Sequence, residues 1–181
     1  MSEVADRYAR VAEGFGARLA GIPADRWDAP TPCTAWNVRE LVGHVVSVHR
    51  HVAGGMAGDL GPPATDADLE AAWAAATAEM RAILADPARA SAPVAGRFAP
   101  MPYEDLIGRL GCIDTVVHTW DLARATGQFE RLDAVAVTIA FDGIRPADDA
   151  IRGPGGFGPK LEPPPGADEQ TRFLCFLGRP A

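Results

Sequence analysis

The sequence predicts an all-α protein: a four-helix bundle followed by a Pro/Gly-rich C-terminal arm and a short terminal helix. Apolar residues recur at helical spacing in four long runs, helix-starting and helix-stopping residues bracket those runs, and strand-like alternation is absent beyond one short piece near Val94.

Val4, Tyr8, Val11, Phe15 and Leu19 form one stripe over residues 3–19, which Gly21 and Pro23 end. Trp27 to Trp36 contains Pro30 and Pro32, which lack the N–H a helix interior needs, so it is a loop. Asn37 and Glu40 make an N-x-x-E start of capping-box type for a second helix from about Val38 to Ala53, closed by Gly54 and Gly55. Gly58 to Pro63 reads as a connection. Thr65 or Asp66 then caps an alanine-rich third helix carrying Leu69, Trp73, Met80 and Leu84, and Pro87 stops it.

Ser91 to Pro100 is irregular or briefly extended. Pro102 at the first helical position, with Glu104 and Asp105 in the first turn, opens a fourth helix that runs unbroken to Thr126, with Gly127 beyond its end. A fifth helix spans Leu132 to Ile144. Residues 153–166 hold too much Pro and Gly for regular structure, and Phe173, Leu174, Phe176 and Leu177 after Asp168 form a short terminal helix that docks back. The expected organisation is a single domain, with the bundle over residues 1–152 and the arm over 153–181 packed on it.

At 181 residues the chain is long enough to bury a core without disulfide or metal staples. Lys and Arg number 17 against 24 Asp and Glu, a net charge of −7 without a basic cluster, which argues against nucleic acid and anionic membranes as partners. No apolar run approaches the roughly 20 residues of a membrane span, and the polar start Met1-Ser2-Glu3 lacks a signal pattern, so a cytoplasmic location is expected. Cys33, Cys112 and Cys175 are odd in number and widely spaced, forming neither a disulfide framework nor a C-x-x-C motif.

The chemistry sits where the apolar stripes are interrupted. Leu106, Leu110, Asp114, His118 and Leu122 are spaced by four and form one ridge of the fourth helix. On the second helix His44 lies between Leu41 and Val48 on the inward face. A carboxylate and two imidazoles left unpaired in a core would cost several kcal/mol, and one shared cation satisfies all three. Imidazole nitrogen and carboxylate oxygen suit zinc, nickel, iron or manganese, and three protein ligands leave a position open for water or substrate. The same spacing also allows an Asp114–His118 pair without metal, with His44 bonded to a backbone carbonyl.

His49 and His51 are two residues apart, hence on nearly opposite sides of a helix, and cannot share an ion. His51 shares a face with His44 about 10 Å along the axis, at a cavity mouth or in solvent. Trp36, Trp73 and Trp120 are candidates for a pocket wall or for core. Asp121 either orients His118 or pairs with Arg124 on the surface, and Cys33, in the loop before His44, is a possible pocket thiol.

The segments T-P-C-T-A-W-N-V-R-E-L-V-G-H (Thr31 to His44) and D-T-V-V-H-T-W-D-L-A-R-A-T-G (Asp114 to Gly127), with F-G-P and F-L-G-R-P in the tail, resemble the actinobacterial metal-binding proteins of the DinB/YfiT-like superfamily. They are similar to the metal-binding domain of mycothiol-dependent maleylpyruvate isomerase. The resemblance implies a DinB-like four-helix core in which His44, Asp114 and His118 bind zinc or a similar divalent ion, with waters completing the shell. Two departures stand out: the isomerase pattern has Glu where this chain has Asp114, and it carries an additional C-terminal domain where this chain has only the arm and short helix.

These readings imply a mycothiol-dependent transferase or isomerase. The metal would activate the small thiol toward an electrophilic substrate, and no side chain would have a catalytic role beyond ligation. The alternative is a non-catalytic protein that binds metal or a small ligand, and a homodimer through exposed helix faces is compatible with either.

Overall fold

The computed structural model describes residues 2–56, 61–96, 99–152 and 156–180. The predicted connection up to residue 60, positions 97–98 and the first three residues of the arm, 153–155, lie outside them.

Helix α1 (Glu3–Ala20) starts where Ser2 Oγ accepts from the Ala5 N–H, and it buries Tyr8, Val11, Ala12, Phe15 and Leu19. Helix α2 (Val38–Ala53) opens on a reciprocal capping box: Glu40 N donates to Asn37 Oδ1 at 2.9 Å and Asn37 N to Glu40 Oε2 at 3.0 Å. Helix α3 (Leu69–Ala85) is capped by Asp68, whose carboxylate accepts from Ala71 N at 2.9 Å, and not by Thr65 or Asp66. Asp66 is engaged elsewhere, by Arg50 at 2.7 and 3.0 Å. Pro87 ends α3 by starting another element, the five-residue α4 (Pro87–Ser91), capped by Asp86.

The short extended piece near Val94 exists as β1 (Pro93–Val94), paired antiparallel with β2 (Met101–Pro102) in the register Val94 to Met101. Pro102 is therefore extended, at the cap and not the first helical position, and α5 (Tyr103–Leu106) follows it. The expected unbroken helix is interrupted by a five-residue π-helical stretch, Ile107–Gly111, before α6 (Cys112–Thr126). A π turn inserts one residue and rotates the downstream helix relative to the upstream turn. Gly108 lies in it against Arg7; a Cβ there would sit 2.6 Å from Nη2. Gly127, left-handed at φ 71°, closes α6.

α1 packs on α3 and α6, and α2 packs on the same two helices. Tyr8, Phe15, Leu41, Val45, Val48, Met80, Ile83 and Leu122 are buried in the core they share. Burying each such side chain contributes about 1.5–3 kcal/mol to holding these helices together.

The chain divides into two compact units, Met1–Arg131 and Leu132–Ala181. The second contains α7 (Ala134–Ile144), capped by Asp133, a 3₁₀ stretch (Arg145–Ile151) and α8 (Glu169–Phe176), capped by Asp168. Within it Phe141 of α7 meets Phe173 and Phe176 at ring distances of 5.7 and 5.5 Å, and Thr138 Oγ1 donates to Glu169 Oε2 at 2.6 Å. Among the described residues no helix is long and apolar enough to cross a membrane.

Candidate metal centre

The centre forms where α2 and α6 face each other. His44 Nε2 lies 3.2 Å from Asp114 Oδ1, and His118 Nε2 lies 3.5 Å from the same oxygen. The π stretch ends three residues before Asp114, so the orientation of Asp114 and His118 is set after the extra residue has been absorbed. The two imidazoles meet edge to face at 5.1 Å, and both histidines are buried.

The loop before α2 supplies the cover. Thr31 Oγ1 bonds the carbonyls of Cys33 and Trp36 at 2.9 and 2.8 Å, Trp36 N donates to the Cys33 carbonyl at 3.0 Å, and Pro30 bridges Asn37. This tight fold delivers the Trp36 indole flat onto His44, with ring centroids 4.1 Å apart, and edge-on to His118 at 5.9 Å.

Behind His118, its Nδ1 lies 3.0 Å from Oδ2 of Asp121, which is fully buried. Arg124, the surface alternative for Asp121, binds both oxygens of Glu130 instead. Asp121 fixes the tautomer: with Nδ1 donating to a carboxylate, the free nitrogen of His118 is Nε2, the one facing Asp114.

Burial opposes ionisation of all these groups, yet the charges decide the outcome. Burial alone would raise Asp114, but the neighbouring His118 and His44 hold its carboxyl well below the usual carboxylate range. Burial would lower His118, but Asp114 and then Asp121 push it up to about 9. In the metal-free protein His118 thus carries a proton between two carboxylates, and a divalent cation would compete for that place.

The donor set fits such an ion. One ligand atom each from His44, Asp114 and His118 all lie within 4.8 Å of one another. Tetrahedral ligands about 2.1 Å from zinc stand about 3.4 Å apart, so small side-chain movements suffice. Asp114 Oδ2 is buried without a hydrogen-bond partner, an acceptor that a cation would satisfy.

The remaining sequence candidates divide. Cys33 is half-buried in the loop that carries Trp36. Trp120 is buried with the Arg124 guanidinium 5.6 Å over its ring, and Trp73 packs on Phe15 as core. His51 is half-buried and outside the three-residue donor cluster. His49, four residues after Val45 and three before Val52 and so on the inward face of α2, is fully buried, its Nδ1 2.9 Å from the Val45 carbonyl and its ring against Tyr8 and Trp73. The signal for that lies in the spacing, since Val45 and Val52 both belong to the inward stripe while Arg39, Glu40 and Arg50 keep the opposite face exposed.

The uncharacterized proteins MT0763 and Rv0738 of Mycobacterium tuberculosis, from strains CDC 1551 / Oshkosh and ATCC 25618 / H37Rv, are each 34% identical to this chain over 174 residues, covering 95% of both chains. No solved structure gives a significant match. A family model, the mycothiol maleylpyruvate isomerase N-terminal domain, matches residues 8–123, a span that includes His44, Asp114 and His118, and the chain therefore belongs to that family, within the DinB-like superfamily.

Proposed function

We propose that this chain is a DinB-type four-helix bundle that holds a divalent metal ion on His44, Asp114 and His118 and acts in the cytoplasm as a mycothiol-dependent transferase or isomerase. The observation that carries the reading is the convergence of one donor atom from each of the three residues within 4.8 Å, on a carboxylate whose second oxygen is buried and unpartnered. Membership of a family described by a mycothiol-dependent isomerase supports the choice of thiol.

A bound divalent ion would lower the pKa of a coordinated thiol and polarise a nearby carbonyl. The chain's own residues arrange that chemistry. Asp121 holds His118 so that Nε2 is presented, Asp114 sets the spacing between the two imidazoles, and Trp36 shields one face of His44 from water. Two imidazoles and one carboxylate suit zinc, which we propose as the occupant, and are also compatible with nickel, iron or manganese. Three protein ligands leave room for the thiol sulfur.

The test is elemental analysis of the purified chain, followed by calorimetric mycothiol binding and thiol-transfer assays across a panel of small electrophiles. We expect about one metal equivalent per chain, mycothiol binding only in the metal-loaded form, and turnover of at least one electrophile. Metal binding with neither thiol affinity nor turnover would remove the enzymatic reading and leave a protein that holds a metal for another ligand.

A further inference from the structure

Away from the metal centre, the buried polar atoms of the first unit without a hydrogen-bond partner include Tyr8 Oη on α1 and His49 Nε2 on α2. Both side chains are fully buried, and their rings are neighbours at 5.8 Å. Each would be costly if left dry, since an unsatisfied buried donor or acceptor forfeits its hydration.

Their hydrogen-bonding capacities are complementary. His49 Nδ1 lies 2.9 Å from the Val45 carbonyl, an acceptor only, so Nδ1 carries the hydrogen and Nε2 is a bare acceptor. Burial keeps this imidazole neutral, lowering it to about 4. The Tyr8 hydroxyl is a donor that can also accept, and burial pushes its ionisation far above the usual range. Two neutral groups, one needing a donor and the other an acceptor, select a neutral molecule that is both. The pair carries no charge to offset that of an ion.

We propose that the core holds a second, non-metal site, in which ordered water is bound by Tyr8 Oη and His49 Nε2. Trp73, which meets the His49 ring edge to face at 4.6 Å, and the fully buried Met80 supply apolar surroundings in the same core. The volume-matched apolar alternative for such a position would be a Phe and a Leu; the polar pair instead calls for internal water of the kind that satisfies buried groups in most globular domains.

The test is a high-resolution crystal structure of the full chain together with the thermal stability of Tyr8→Phe. We expect water density within hydrogen-bonding distance of Tyr8 Oη and of His49 Nε2. Removing the hydroxyl strips that water of a partner, so the variant should melt about 2–4 °C lower, the shift typical of one lost interaction in a chain of this size. If the site is dry, the substitution deletes an unsatisfied hydroxyl and the melting temperature stays level or rises. Either that result or the absence of water density at the two atoms overturns the proposal. Parent and variant are melted at equal metal content, and neither the water density nor the Tyr8→Phe difference depends on thiol binding or turnover, so this outcome is independent of the function proposed above.

Discussion

The imidazole of His118 is held from both ends: Nδ1 by the buried carboxylate of Asp121 at 3.0 Å, and Nε2 facing Asp114 at 3.5 Å. The first contact lies one helical turn toward the C-terminus and the second one turn toward the N-terminus, so a single helix sets the direction of this imidazole. Replacing Asp121 with Asn keeps the shape and removes the charge that pins the tautomer. The expected result is metal affinity weaker by roughly 10–100-fold with an unchanged helical spectrum, measured by competition with a chromophoric chelator. An unaltered dissociation constant would show that Asp121 has no orienting role.

Asp114 is the residue both histidines share. Asp114→Ala should abolish high-affinity metal binding while far-UV circular dichroism remains helical, because the packing of α1 and α2 against α3 and α6 does not pass through the ion. Stoichiometric metal retained by the purified variant would refute the ligand assignment.

Much of this arrangement is legible in the sequence, for identifiable reasons. Asn37 and Glu40 announce the start of α2 because a capping box needs both residues at a fixed spacing. His44, Asp114 and His118 stand out because they break apolar ridges. The cap of α3 is not determined by sequence, since Thr65, Asp66 and Asp68 all have suitable side chains and only the tertiary pairing of Asp66 with Arg50 removes one of them. The π stretch before α6 has no periodicity signal of its own, because its five residues are all compatible with an α-helix. The burial of His49 is legible in its spacing from Val45 and Val52, but that spacing does not show that Tyr8 and Trp73 are the rings that close over it.

Acidity supplies a test that separates the metal-free from the metal-loaded protein. His118 is raised to about 9 in the folded chain, above its ordinary value of 6.5. The stabilisation from its proton is therefore complete below pH 6.5 and is lost as pH rises toward 9. The metal-free melting temperature should fall across that interval. Metal must displace the same proton, so the increment in melting temperature on adding zinc should grow over the same range. Scanning calorimetry with and without zinc would check both signs; a metal increment that shrinks between pH 6.5 and 9 would contradict the site.

The position of His44 also depends on its neighbour in sequence. Gly43 lies under the segment leading to α3, where its carbonyl accepts from Ala64 N at 3.0 Å, and a Cβ on residue 43 would stand 2.3 Å from the Ala64 carbonyl oxygen. That oxygen belongs to backbone also tied down by Ser47 Oγ donating to the Pro62 carbonyl and by Asp66 pairing with Arg50, so it cannot yield as a side-chain tip would. Gly43→Ala must therefore push the segment or α2 itself, at a cost of about 1–3 kcal/mol typical of overpacking. Chemical denaturation of the metal-free protein should register the loss. Because α2 carries His44 directly after the strained position, metal affinity should fall as well, and a variant as stable and as tight-binding as the parent would rule out close packing of Gly43 against Ala64.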